Sequence, residues 1–232
     1  MYLGPDTSTI TKIIPNFSGR KCYDVFSGSG VAGLVASLRF EEVVCVDVGG
    51  RAREYGFFNR GFNGRENVVF KEEDVRDLDV PEDCDLILAN PPYVPSYDAQ
   101  PLYVSGGRDG MFYYDLIVGM IREKNGVKRG AVVSEVRDGG RVEGGEVLFR
   151  NWKALGREEY CSVREQSPSG YSKCVSNLEN EGVETITCCL HVFGLETEGK
   201  VVDVQRKGEE GGLWGPRNDL KEVIDIIEMY KK

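Results

Sequence analysis

Short apolar runs alternate with helical patterns over residues 21–136, and this alternation constrains the fold more than any other feature of the chain. Runs at 21–26, 43–48, 67–70, 85–89 and 130–136 predict strands. Between them, Val31, Leu34, Val35 and Leu38 fall at i, i+3, i+4 and i+7, which predicts a helix. A second helix is expected over 51–62, and a third is marked by Tyr113, Leu116, Ile117 and Met120. Strands that are apolar along their length are covered on both faces. Strands alternating with helices build βαβ units. The expected class is therefore α/β, doubly wound, with a mostly parallel seven-stranded sheet. Residues 184–193 and 200–206, joined by 194–199, read as an antiparallel C-terminal hairpin. Residues 147–155 read as a helix, and 138–146 and 167–180 as irregular chain. Asp219 and Glu222 fit a helix start, followed by Leu220, Val223, Ile224 and Ile227 on one face.

A chain of 232 residues with 41% hydrophobic content suits one domain with a packed core. Residues 1–136 would be its binding and catalytic core, and 137–232 the rest of the sheet with an insertion or decoration. The net charge of −9 counts against a large non-specific nucleic-acid surface, which needs a basic face. Arg51, Arg53, Arg60 and Arg65, diluted by Glu54, read as a solvated helix face. The chain has 7 cysteines and 1 histidine, and no C-x-x-C pair, so no metal site is expected. Cys22 and Cys45 sit in predicted strands, where a free thiol behaves as a small hydrophobe. An odd cysteine count suits the reducing cytoplasm. No charged segment followed by an apolar run opens the chain, and no apolar stretch approaches about 18 residues, so neither a signal peptide nor a membrane span is expected.

The first chemical signal is Asp24-Val-Phe26-Ser27-Gly28-Ser29-Gly30, with Gly33 after it. A glycine turn between strand and helix lets a ligand approach the backbone closely. Asp47, ending the second strand, can accept hydrogen bonds from both hydroxyls of a ribose, with Val48 beside it. Asp74 follows the third strand and can accept from an adenine amino group, with the Val75 N–H facing the ring. Nothing in this set requires a phosphate, so adenosine without pyrophosphate suits it better than a dinucleotide.

The second signal is Asn90-Pro91-Pro92-Tyr93, where the fourth strand ends. An amide or aromatic amino nitrogen is a poor nucleophile because its lone pair is delocalised. The Asn90 side-chain oxygen and the Pro91 carbonyl can accept its two N–H groups and favour positive charge developing there. They also fix its direction of attack. Consecutive prolines restrict the backbone that presents the carbonyl. Tyr93 offers a flat face to a planar group.

Taken together, residues 24–30, Asp47, Asp74 and residues 90–93 resemble the class I, Rossmann-like methyltransferases that modify exocyclic or amide nitrogens. The run through Val94 and Pro95, followed by Gly106-Gly-Arg-Asp-Gly110, is similar to the HemK-type glutamine methyltransferases of peptide-chain release factors. Pro5, Asp6 and Thr7 resemble their pre-strand motif, which lies over the cofactor. The resemblance covers roughly residues 3–136. It implies S-adenosyl-L-methionine as cofactor, held by Thr7, Asp24, Phe26–Gly30, Asp47, Val48, Asp74, Val75 and Asn90. It implies catalysis by Asn90, Pro91, Pro92 and Tyr93 on a protein glutamine. Protein is thus the expected substrate ahead of nucleic acid. The short archaeal–eukaryotic relatives often depend on a small zinc-binding activator, so an activator subunit is a candidate partner. An adenine-N6-type base methyltransferase shares the motif, and a non-catalytic subunit shares the fold.

Elsewhere the sequence reads as structural. His191 lies in a strand-like run, and Cys188 and Cys189 are expected to be packed. Tyr55, Phe57 and Phe58 are expected in the core. Arg108 and Asp109 either line the substrate pocket or shape a loop. Trp214, beside Gly215 and Pro216, is expected to anchor the last helix.

Overall fold

The computed structural model describes residues 5–94, 105–123, 127, 129–137, 146–154, 180–183 and 185–193. Its strands are β1 (Gly19–Val25), β2 (Phe40–Asp47), β3 (Val68–Glu72), β4 (Leu86–Ala89), β5 (Gly130–Arg137), β6 (Glu146–Ala154) and β7 (Thr185–Phe193). The helices are α1 (Pro5–Ile13), α2 (Val31–Ala36), α3 (Gly50–Asn63) and α4 (Phe112–Glu123), with a 3-10 turn at Ile14–Asn16. The strands form one sheet in the order β3-β2-β1-β4-β5-β7-β6. β1 to β5 run parallel to one another, and β7 lies antiparallel between β5 and β6. This is the expected doubly wound α/β architecture.

Alternate residues of each central strand serve opposite cores, as a pleated strand requires. One core takes Cys22, Val43, Cys45, Leu86, Leu88 and Ala131, and packs them against α1 and α2. The other takes Tyr23, Val25, Val44, Val46, Ile87, Ala89 and Val132, and packs them against α4. The buried stripe of α4 is Tyr114, Ile117, Val118 and Ile121. It keeps the expected spacing but sits one residue along from the predicted set, whose Tyr113, Leu116 and Met120 are only partly buried.

α1 was not anticipated. Pro5 stands at its start, Asp6 in its first turn and Lys12 in its last, all favourable places. Ile10, Ile13 and Ile14 are buried and bind this segment to the core.

Three expectations are corrected. Of the expected helix at 147–155, the described residues 147–154 are not helical. They belong to β6, which pairs antiparallel with β7 along its length, and ladder formation overrides local helical preference. The strand expected at 184–193 is β7 over 185–193, and its antiparallel neighbours are β5 and β6, both of which precede it in the chain, where a following strand was expected. Residues 200–206, Trp214 and the helix expected from Asp219 lie outside the described residues. Tyr55 and Phe58 are not core: they are 53% and 69% exposed, Phe57 is 43% exposed, and Phe62 is 82% exposed. The cause is local. α3 seats on the sheet through Gly56, where a Cβ would stand 2.2 Å from the Phe70 ring, and this turns its aromatic residues outward.

His191 is fully buried, as its strand context predicts. Its Nδ1 lies 3.1 Å from the Tyr114 hydroxyl and its Nε2 lies 2.9 Å from the Ser134 hydroxyl. The ring thereby fastens β7 to α4 and β5.

Candidate active site at the carboxyl ends of the strands

In an open parallel sheet, loops at the carboxyl ends of neighbouring strands share one rim, with strands about 4.8 Å apart. Here β3, β2, β1 and β4 stand side by side, so Asp74, Asp47, residues 26–30 and Asn90 line one edge of the sheet. The chain reverses its direction of winding between β1 and β4, and such a switch point opens a crevice.

The glycine turn after β1 is tightly defined. Ser27 N–H donates to Val46 O at 3.0 Å, and Gly30 N–H to Ser27 O at 2.8 Å. Phe26, Gly28 and Gly30 have φ of 59°, 53° and 79°. For a bulky residue such as Phe26 this conformation costs about 1–3 kcal/mol. The Phe26 ring is held edge-on to Tyr113, centroids 5.1 Å apart. A Cβ at Gly30 would lie 2.5 Å from the Phe70 ring, and one at Gly33 would lie 2.2 Å from Cys45 Sγ. Close packing thus explains both of these glycines. Gly28 differs: space beside it is open, so its backbone is reachable.

Asp24 and Asp47 support the turn from two directions. Asp24 is buried, and its Oδ2 accepts the Gly33 N–H at 2.7 Å. Burial raises its pKa to about 7 and the nearby Asp47 charge adds to this, against the Gly33 N–H and the Cys45 thiol. Asp47 Oδ2 accepts the Gly28 N–H at 2.8 Å and its Oδ1 accepts the Gly49 N–H at 2.9 Å. Each oxygen keeps a second lone pair for a ligand hydroxyl. Val48, next to it, is 52% exposed and offers an apolar surface at the rim.

Asp74 is engaged by a residue that sequence reasoning missed. Arg76 forks onto it, with Nε 2.9 Å from Oδ1 and the second nitrogen 2.5 Å from Oδ2. Hydrogen bonding from that guanidinium lowers the Asp74 pKa to about 2. The Val75 side chain points inward and is buried. The spacing of one residue between Asp74 and Arg76 was the available signal.

At the end of β4, Asn90 Oδ1 is buried with no hydrogen-bond partner among the described residues. A stranded polar atom of this kind costs about 1–3 kcal/mol. Pro91 is buried, and Pro92 and Tyr93 are half-buried. The Tyr93 ring packs against the core that contains Ile10 and Ile13, and its hydroxyl donates to Asp6 Oδ2 on α1. Thr7, next along α1, is half-buried. The Gly106–Gly110 loop closes on the same segment. Gly106 N–H donates to Val94 O at 2.9 Å, and a Cβ at Gly106 would lie 2.7 Å from the Tyr93 Cα. Asp109 Oδ1 accepts the Met111 N–H at 3.0 Å and so shapes the loop. Arg108 reaches Glu181 at 4.0 Å while largely exposed.

No group of His, Cys, Asp and Glu among the described residues could hold a metal ion. No helix among them is long and apolar enough to cross a membrane.

No protein-family model matches the chain, and no curated protein matches it. Solved structures do. YcgJ from Bacillus subtilis is similar at a TM-score of 0.51 and 12% identity, covering 81% of this chain and 96% of that one. A dimethyladenosine transferase from Plasmodium falciparum is similar at 0.49 and 14%, covering 83% of this chain and 63% of that one. A tRNA (uracil-54, C5)-methyltransferase from Pyrococcus abyssi, solved with S-adenosyl-L-homocysteine, is similar at 0.41 and 20%. The match covers 56% of this chain and only 28% of that enzyme. The likeness to YcgJ extends the doubly wound fold over most of both chains.

Proposed function

We propose that the chain is an S-adenosyl-L-methionine-dependent methyltransferase acting on a planar amide or amino nitrogen. The observation that carries this reading is the buried Asn90 Oδ1, which has no hydrogen-bond partner among the described residues and lies one strand away from the glycine turn. A folded chain tolerates such an atom where a ligand will satisfy it. The cofactor supplies an electrophilic methyl group on a sulfonium. Gly28 offers reachable backbone, Asp47 offers spare lone pairs for ribose hydroxyls, and Val48 offers apolar surface for a base. Asp74 reaches an adenine amino group only where Arg76 shares it. Asn90 Oδ1 and the Pro91 carbonyl accept the two N–H groups of the acceptor and hold its nitrogen in line. Tyr93 bounds the acceptor with a flat face.

The acceptor proposed first is a protein glutamine amide, supported by the net charge of −9 and by the Gly106–Gly110 loop seated on Tyr93. An adenine amino group presents the same two N–H groups and is the second acceptor to try. Methyl transfer from labelled S-adenosyl-L-methionine to a Gly-Gly-Gln peptide or to an adenine-containing oligonucleotide separates them. Labelling of neither, with tight cofactor binding, would reduce the chain to a binding subunit.

A partner protein suits the face made by α3 and β3. β3 ends the sheet among the described residues, and Val69 on it is 44% exposed. Open strand edges invite a further strand. Beside it, Phe58 and Phe62 stack nearly parallel in solvent on α3, whose first turn also carries the exposed Arg51. The small zinc-binding activator of the short relatives is the partner to test, by co-expression and sizing of the complex. The buried free thiols of Cys22, Cys45 and Cys84 suit a cytoplasmic setting.

A further inference from the structure

The bond between the Tyr93 hydroxyl and the Asp6 carboxylate joins two parts of the molecule that are otherwise far apart in the chain. Tyr93 belongs to the segment that ends β4, and Asp6 to the first turn of α1. Three independent contacts fix Tyr93. Its ring lies on the core to which Ile10, Ile13 and Ile14 of the α1 region contribute. Its backbone is met by Gly106, where no side chain would fit. Its hydroxyl is held by Asp6. A half-buried phenol hydrogen-bonded to a carboxylate is a directed, charge-assisted contact. Asp6 would favour the α1 amino end without this bond, through the helix dipole. The dipole does not account for the phenol at its carboxylate.

We propose that Asp6 is a positioning residue: by accepting the Tyr93 hydroxyl it clamps the acceptor wall to helix α1. The inference rests on the reading of Tyr93 as that wall and of α1 as the cover of the cofactor. The wall and the cover then move as one body. Ligand uptake on the α1 side orders Tyr93 before an acceptor arrives, and an acceptor against Tyr93 slows release from the α1 side. Coupling of this kind is reciprocal between the two sites.

Hydrogen exchange with S-adenosyl-L-homocysteine as probe tests the clamp. In the unaltered chain, the probe is expected to protect the amides of residues 28–30, of α1, and of Tyr93 and Val94. In Asp6→Ala and in Tyr93→Phe, protection at 28–30 persists, while protection at Tyr93 and Val94 falls by about fivefold or more. Asp6→Asn keeps a carbonyl oxygen for the phenol and restores most of it. The double variant Asp6→Ala, Tyr93→Phe loses clearly less than the sum of the two single losses, because the bond between them is common to both. Additive losses, or full protection at Tyr93 in Asp6→Ala, would overturn the proposal. If the unaltered chain takes up no probe, the cofactor reading fails on its own. The clamp is then decided without ligand: Asp6→Ala and Tyr93→Phe must each speed exchange at Val94 to the same extent, and unchanged exchange refutes it.

Discussion

Asp47 Oδ2 accepts the Gly28 N–H at 2.8 Å, so one carboxylate at the end of β2 holds open the backbone turn that follows β1. Asp47→Ala removes both the expected ribose acceptor and this tie. Affinity for S-adenosyl-L-homocysteine should drop at least about tenfold, or about 1.4 kcal/mol. Calorimetric titration reads this directly. Unchanged affinity would move the nucleoside away from Asp47.

Asn90→Ala should lower turnover by about 10²–10³-fold, the usual loss when a group aimed at developing charge is removed. Calorimetry should find binding of the cofactor product little changed. Because Asn90 Oδ1 is buried without a partner among the described residues, its loss should also leave the melting temperature equal or higher. A clear fall in stability would mean that the side chain serves the fold.

Asp24 gives the chain an unusual pH dependence. Its carboxyl has a pKa of about 7 when folded, against 3.8 as the ordinary value. Between these, the folded state holds a proton that the unfolded state has lost. Stability from this group is therefore greatest below the ordinary value and declines as pH rises to about neutrality, by up to about 1.4 kcal/mol per pH unit. Asp24→Asn should flatten that decline in urea titrations run between acid and neutral pH. A slope that survives the substitution would assign it to another group.

Gly33→Ala should destabilise by about 1–3 kcal/mol, because the added methyl meets Cys45 Sγ and the surrounding core is closed. Combining it with Cys45→Ala should recover much of the loss. Urea unfolding of the single and double variants measures both, and no recovery would place the strain elsewhere.

Phe58→Ser with Phe62→Ser should alter stability by no more than about 0.5 kcal/mol per site, since both rings are in solvent. The same pair should abolish a stable complex with the small zinc-binding activator. A complex that survives both changes would place the partner on another face.

The parallel half of the sheet was legible because each of its strands carries a short apolar run, buried on both faces in β4 and over the later residues of β1 and β2. The rim positions of Asp47, Asp74 and Asn90 were legible because Asp47 ends β2, Asp74 stands two residues beyond β3 and Asn90 follows β4 at once. What the sequence concealed was set by partners distant in the chain. β6 carries a pattern compatible with a helix, and only its ladder with β7 makes it a strand. The rings of α3 look like core residues until Gly56 is seen to occupy the place against Phe70. The engagement of Asp6 by Tyr93 links segments that no local pattern connects, and the burial of Asn90 Oδ1 without a partner among the described residues is a property of the fold alone.

The antiparallel strand β7 lies inside the sheet, and among the described strands it is the sole neighbour of β6. A growing chain therefore leaves the ribosome with β5 bare on one side and β6 without a mate until residues 185–193 follow. The rim that carries the glycine turn and Asn90 uses only β1 to β4, so it can take shape earlier. Synthesis of this protein thus passes through a stage at which the rim of β1 to β4 can form while the sheet beside it is still open, with an exposed strand edge available for pairing.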